Sequence, residues 1–264
     1  MTTLETRALV LRTVDFGESD RIAHLLTPAT ARLTVIAKGA KRSKRRFAGT
    51  LDLFQLLDVR IDRRRPTAMA RLEQAKLLDV FAPLRRHPKR FALACHLAEL
   101  IDRLAPEAVG GRDARELFGT ALAVFGAAAA RDPDARLRAL LELRVLGAVG
   151  LTPELRSCVR CGRDAVAAAA ETVAFHVGEG GPVCPTCGRV EDVTLALHPG
   201  TLRALAQGMQ LPIDRLDRLA LGREPTAEAR ALLDRFLRFH VGFELRSQRV
   251  LEALTAAETR RVSA

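Results

Sequence analysis

The chain has 264 residues, a formal charge of +11 and 48% apolar residues, enough for a real core in two domains or in one domain with additions. No apolar run approaches a membrane span, and the N-terminus has neither the basic start nor the apolar run of a signal peptide. A membrane protein and a secreted disulfide scaffold are therefore excluded, and a reduced, cytoplasmic protein is expected.

In chain order, the first part reads as five short strands. Residues 4–14 hold Leu9, Leu11 and Val14 among their apolar positions, residues 20–27 make a second strand, and residues 33–38 a β-branched third. Turns at 15–19 and 28–32 join them. Residues 55–62 and 68–75 form strands four and five, with Arg63-Arg64-Arg65-Pro66-Thr67 between them. Five strands in about 75 residues, three joined by tight turns, fit a five-stranded OB barrel, and an SH3-like barrel fits nearly as well.

After Pro83 the period changes from two to about 3.6. Residues 88–104 form an amphipathic helix with Phe91, Leu97, Leu100, Ile101 and Leu104 on one side, and Cys95 within it reads as a small core residue. Residues 113–130 form a second helix. Asp132-Pro133-Asp134 starts a third, with Pro at an early helical position, and Gly150 ends it. Pro199-Gly200 leads into a short helix over 201–208, and 211–224 is helical in part. One long helix is expected over 227–256, with Leu232, Leu233, Phe236, Leu237, His240 and Phe243 on its apolar face and His240 in the core.

Between these helices, over about 153–198, lies the strongest motif. Cys158-Val-Arg-Cys161 is answered after 22 residues by Cys184-Pro-Thr-Cys187. Each tight turn supplies two soft ligands, so the pairs together complete a tetrahedral shell for one structural Zn2+ and close a polar, Gly-rich loop. Gly162 and Gly188 follow the second Cys of each pair, where positive φ is expected. A redox reading lacks the flanking strand–helix pattern, and disulfides need an oxidising compartment. Four thiolates leave no open position for water or substrate, so the metal is a scaffold, and His176 and His198 are bystanders. Arg160 and Arg163 read as exposed arginines beside the knuckle.

Charge is uneven. Residues 1–81 carry 16 Lys/Arg against 9 Asp/Glu, so +7; residues 82–264 carry 26 against 22, so +4. That asymmetry assigns a polyanion to the N-terminal part. The sharpest feature is Lys38-Gly39-Ala40-Lys41-Arg42-Ser43-Lys44-Arg45-Arg46, six cations in nine residues, with Gly39 and Ser43 keeping the chain supple along a line of phosphates. Arg63, Arg64 and Arg65 sit in the loop between strands four and five, one of the two that flank an OB ligand face. Tyr and Trp are absent, and only Phe16 and Phe47 stand where a base can stack, with core filling as the competing role. Binding should therefore rest on phosphates, ignore sequence and weaken with salt.

No phosphate-binding Gly loop, Gly-x-Ser-x-Gly or His-Glu-x-x-His occurs, and no catalytic residue is identified. Asp52, Asp58 and Asp62 alternate near strand four and read as solvated strand charges rather than a metal-dependent nuclease centre.

Gly17-Glu-Ser-Asp20, Leu25-Leu-Thr27 and Ala37-Lys-Gly-Ala-Lys-Arg42 follow one another as in the RecO family of recombination mediators, and the chain resembles that family. Leu53-Phe54, the paired Cys-x-x-Cys motifs of its zinc-bearing branch and Phe236-Leu-Arg-Phe-His-Val-Gly-Phe-Glu-Leu-Arg-Ser247 continue the resemblance over nearly the whole chain. One departure is Thr30-Ala31-Arg32, where the family usually has Gly before strand three. The resemblance implies a multidomain α+β chain: an OB-fold DNA-binding domain over 1–80, then an all-helical domain over 81–264 with an inserted four-cysteine zinc knuckle. It implies a nucleoid-associated, non-enzymatic protein of the RecFOR pathway in DNA damage repair. Such a protein binds single- and double-stranded DNA, anneals complementary strands, and acts with RecR to place RecA on strands coated by single-strand-binding protein. Lys38, Lys41, Arg42, Lys44 and the Arg63–Arg65 loop fall where the barrel would meet DNA, with Arg45 and Arg46 completing the run. The competing reading is an RNA-binding or transcription-associated barrel with a zinc ribbon, which would be expected to carry an aromatic strand face.

Overall fold

The computed structural model describes residues 2–43, 45–63, 68–190, 192, 194–242 and 244–262, with side chains described up to 255. The chain divides into two compact units, Met1–Asp132 with Leu245–Ala264, and Pro133–Glu244.

In the first unit, β1 (Thr2–Phe16), β2 (Asp20–Thr27), β3 (Ala31–Ala37), β4 (Leu56–Arg63) and β5 (Ala70–Asp79) close a barrel in the order β1-β2-β3-β5-β4. This is the OB arrangement, which settles the choice against an SH3-like barrel. Closure depends on β1 serving two neighbours. Its first half pairs with β4, from Thr2 opposite Arg63 to Leu9 opposite Leu56. Its second half pairs with β2, from Leu9 opposite Leu26 to Phe16 opposite Asp20, after an irregularity between Val10 and Arg12. Such a bulge bends a strand and sharpens its twist, and that bend turns a sheet into a barrel. A short parallel pairing, Val35 opposite Ala70 and Ile36 opposite Arg71, shuts the other seam. Alternation fills the interior with small and branched residues, including Ala8, Val10, Leu25, Leu33, Val35, Leu57, Val59 and Leu72. At the β2–β3 turn, Ala31 adopts φ +47 where the family resemblance leads one to expect Gly.

The same unit holds α1 (Ala82–Arg86), α2 (Pro88–Leu104), α3 (Arg112–Ala130) and α7 (Arg246–Val262). Helix α2 buries Leu93, Leu97, Leu100 and Ile101, while Phe91 is half-exposed. Glu99 on α2 caps α7: its carboxylate accepts from the backbone N–H of Arg246 at 3.0 Å and of Ser247 at 2.9 Å. Cys95 is partly buried, and burial pushes its thiol up to about 11, the behaviour of an inert core cysteine.

The second unit holds α4 (Ala135–Ala148), α5 (Pro199–Gln210) and α6 (Arg223–Val241), with β6 (Val173–His176), β7 (Gly181–Val183) and β8 (Thr194–Leu197) in a sheet ordered β7-β6-β8. Several sequence expectations change here. Pro133 precedes helix α4 rather than opening it, because Asp134 is the N-cap and its carboxylate accepts from Leu137 N at 2.6 Å. Gly150 does end α4: Leu151 N donates to Leu146 O and Gly150 N to Gly147 O, the paired bonds of a Schellman motif. The segment between the cysteine pairs is not a featureless loop, since Val173 and Phe175 turn inward and seed three short strands.

The expected helix over 227–256 is two helices. Gly242, at φ +71, takes the left-handed conformation that terminates α6, and α7 starts afresh at Arg246. Leu232, Leu233, Phe236 and Leu237 are buried as expected. His240 is exposed, its Nε2 2.8 Å from Val177 O and its ring 4.2 Å from that of Phe236, so it is not a core residue. Phe243 lies outside the described residues.

Candidate nucleic-acid interface and metal centre

The basic run leaves the barrel at the end of β3. It is a folded turn, not a supple strand: Ala40–Arg42 forms one 3-10 turn, entered through Gly39 at φ +69. The turn between β1 and β2 holds it. Asp20 accepts from Lys38 Nζ at 2.6 Å and from Gly39 N at 2.8 Å, which holds its carboxyl down at about 2. Asp15 lies 3.1 Å from both Lys41 Nζ and Arg21 Nε, and Lys41 lowers its carboxyl in the same way. Arg42 lies 3.8 Å from Glu18, and both side chains project into solvent. Lys41 N donates to Ser19 O at 3.0 Å, tying the two turns together through the backbone.

The far end of the run is tied to β5, where Ala75 N donates to Arg46 O at 3.1 Å. Arg46 donates to Lys38 O at 2.8 Å and stacks on the Phe47 ring at 5.1 Å, while Glu73 lies 3.8 Å from Arg46 and 2.8 Å from Arg71. Arg45 is exposed and has no ion-pair partner among the described residues. Arg63 ends β4 opposite Thr2. Lys44, Arg64 and Arg65 lie outside the described residues. The parallel pairing of Val35 with Ala70 sets the start of β5 beside β3, three residues before the basic run begins at Lys38.

Phe47 belongs to the barrel core, whereas Phe16 is half-exposed at the tip of β1. Below Phe16, outward residues line up across the strands: Val14 opposite Ile22, Ile22 opposite Ile36, and Ile36 opposite Arg71. Nothing in the sequence alone singles out Ile22, Ile36 or Arg71, although their outward parity is readable once the strands are aligned. The next row down is covered by the last turn of α2 and the α2–α3 connection: His24 Nδ1 is 2.7 Å from Asp102, and Glu107 accepts from Arg32 at 2.9 Å and from Thr34 at 3.0 Å. The carboxylates near β4 do not converge: Asp62 is buried and accepts from Thr3 at 2.8 Å, while Asp58 faces solvent.

In the second unit, the Sγ atoms of Cys158, Cys161, Cys184 and Cys187 all lie within 4.8 Å of one another. Cys161 and Cys184 are 3.7 Å apart, far beyond a disulfide and close to the edge of about 3.8 Å in a tetrahedron with metal–sulfur bonds of about 2.3 Å. Cys184 N donates to Cys158 Sγ at 3.4 Å, and Gly162 N and Gly188 N turn back on Cys158 O and Cys184 O. Gly162 has the expected positive φ, +75; Gly188 does not, because its knuckle closes without a left-handed residue. The backbone N–H and side chain of Arg163 hold the Cys161 thiol down at about 6, and that neighbour pushes Cys187 up to about 12. Four thiols this close cannot all ionise without a cation among them, so the donor set fits a metal ion.

Arg160 is not a bystander arginine. Its guanidinium donates to Glu179 at 2.6 Å, to Asp192 at 2.8 Å and to Cys187 O at 2.6 Å, joining one knuckle to the other. His198 caps α5, its Nδ1 accepting from Gly200 N at 3.1 Å, and His176 Nδ1 accepts from Glu179 N at 3.0 Å. Neither belongs to the thiol cluster.

With this geometry in view, the family models decide kinship. Residues 1–81 match the model described as Recombination protein O N terminal, and residues 85–249 match Recombination protein O C terminal. The chain belongs to the RecO family. DNA repair protein RecO of Anaeromyxobacter dehalogenans strain 2CP-C is 36% identical over 260 residues, covering 96% of this chain and 98% of its own length. The protein of that name from Myxococcus xanthus strain DK1622 is 36% identical over 244 residues, 91% of this chain and 93% of its own. That from Syntrophus aciditrophicus strain SB is 29% identical over 255 residues, 96% of each. RecO membership supports a role in DNA repair and recombination, and the family's N-terminal match coincides with the barrel.

Proposed function

We propose that this RecO family member is a recombination mediator. It binds single- and double-stranded DNA without sequence preference and anneals complementary strands. With RecR, it helps load RecA onto DNA coated by single-strand-binding protein. It works in the cytoplasm at the nucleoid, makes and breaks no covalent bond, and carries one structural Zn2+ on Cys158, Cys161, Cys184 and Cys187. What carries the reading is the cationic turn of Lys38, Lys41, Arg42, Arg45 and Arg46 at the mouth of an OB barrel. Lys44 adds charge to the same run, and Arg63, Arg64 and Arg65 form a second basic stretch in the barrel's sequence.

Annealing follows from electrostatics. Two strands repel through their phosphates, and a basic surface that neutralises both while leaving base edges free lowers that barrier. About 6 neutralised phosphates give a slope of log K on log salt of roughly −5 for duplex and −4 for a single strand. Cys158, Cys161, Cys184 and Cys187 would hold Zn2+ as thiolates, and the ion would supply the positive charge that keeps them together as a structural clasp.

The test is annealing of complementary oligonucleotides, bare and coated with single-strand-binding protein, by the native chain and by a Lys41→Glu, Arg42→Glu, Lys44→Glu, Arg45→Glu variant. The variant should lose annealing while keeping its fold. Annealing at the native rate would overturn the assignment of this surface.

A further inference from the structure

We propose that the connection between α2 and α3 is an autoinhibitory strap: Glu107, backed by Asp102 in the last turn of α2, occupies Arg32 as a phosphate would and so withholds that cation from DNA. The proposal rests on the DNA-binding reading above and names what holds that affinity down.

Three observations carry it. The first is how the strap is fixed. β5 meets β3 only at Val35 and Ile36, which leaves the edge of β3 open from Ala31 to Thr34. Main chain covers that edge: Arg32 N donates to Pro106 O at 3.2 Å, and Ala108 N donates to Arg32 O at 2.8 Å. Gly110 passes so close that a Cβ there would stand 2.7 Å from Ala29 O. The strap is therefore pinned by its backbone, and the Glu107 carboxylate is not needed to hold it.

The second is what the carboxylates touch. Glu107 accepts from Arg32 at 2.9 Å and from Thr34 at 3.0 Å, while Asp102 lies 2.7 Å from His24 Nδ1 and 3.8 Å from Arg32. Arginine and hydroxyl donors are the groups that take phosphate oxygens, and carboxylate oxygens accept from them in the same geometry. Arg32 Nε is buried with no hydrogen-bond partner among the described residues, so the two acids leave the guanidinium incompletely satisfied. The third is which charge faces out. The Glu107 side chain is 51% exposed and that of Arg32 only 22%, so solvent meets the acid before the cation. Beside them on β1, Arg12 stands opposite His24, exposed and without an ion pair among the described residues, so the row has cationic character once the acid is removed.

An arginine already neutralised by a carboxylate adds no counterion release when phosphate arrives, and the carboxylate repels the phosphate besides. Neutralising Glu107 should hand DNA one more cation. The slope of log K on log salt then steepens by about 0.9 for duplex and about 0.7 for a single strand, which at about 0.1 M salt is roughly an eightfold gain on duplex that fades toward 1 M.

The experiment titrates the full-length native protein, Glu107→Gln, Arg32→Ala and the double variant against one duplex and one single strand across a salt series. Glu107→Gln should show the gain and the steeper slope. Arg32→Ala should bind as the native protein does, because its charge is already taken, and the double variant should return to native affinity. Glu5→Gln, which removes an equal charge from an exposed position without an ion pair among the described residues, serves as control. Native affinity in Glu107→Gln would overturn the strap's role and leave phosphate binding intact. So would the same gain in the control, or a gain that persists in the double variant. A clear loss in Arg32→Ala would show that Arg32 already meets DNA, which also overturns it, and this outcome stands even if Glu107→Gln fails to fold. Absence of salt-dependent binding by the native protein would instead sink the DNA-binding reading and the strap with it.

Discussion

At the scale of single residues, the basic run is partly spoken for before DNA arrives. Asp20 binds Lys38 and the Gly39 amide, Asp15 sits on Lys41, and Glu18 faces Arg42. On the DNA-binding reading proposed above, these carboxylates stand where phosphate oxygens would go. Asp20 also shapes the turn through its backbone bond, whereas Asp15 and Glu18 touch only side chains, so they can be neutralised without undoing the loop. Replacing them, Asp15→Asn with Glu18→Gln, should raise affinity for duplex and make the salt slope steeper by roughly 1 to 2, since up to two more cations then release counterions on binding. Glu5→Gln with Asp58→Asn removes the same charge from exposed positions that form no ion pair among the described residues. Titration of both variants against salt decides the matter: an identical change in the control pair would mean that net charge, not local pairing, sets affinity.

At the scale of elements, two devices organise the second unit. The metal clasp is braced by Arg160, whose bonds to Glu179, Asp192 and Cys187 O cross from one knuckle to the other. Side-chain bonds thus help bring the four thiols together, whatever a metal ion would add. The other device is the stop at Gly242, where φ is +71 and a Cβ would meet nothing within 4 Å. Gly242→Ala therefore adds backbone strain and no clash. It should cost about 1 kcal/mol and lower the melting temperature by a few degrees. A thermal melt that matches the native protein would show that α6 can end without the left-handed residue.

At the scale of the whole molecule, the proposed division of labour is between an OB barrel that meets DNA and a helical unit whose four cysteines could hold a metal ion. Zinc removal by a chelator should loosen Pro133–Glu244, read as faster amide exchange across β6–β8 and the knuckles, because the clasp closes that segment. Affinity of the barrel for DNA should change little. If chelation abolished DNA binding while exchange in the second unit stayed slow, the metal would have to be reassigned to the nucleic-acid surface.

Much of this molecule was legible in one dimension. Period-two stretches marked all five barrel strands, the 3.6 period marked α2 with its observed bounds, and two Cys-x-x-Cys turns marked the clasp, because each signal is local and repeats within a few residues. The cationic run was equally plain as composition. Its partners were not, since Lys38 meets Asp20 only after β2 and β3 align, and Glu73 meets Arg46 only after β5 closes the barrel. The same holds for the strip of Val14, Ile22 and Ile36 and for its half-covering by Asp102 and Glu107. Pattern tells which side of a strand a residue takes; only register tells which residue stands beside it, and the chemistry of a surface depends on neighbours.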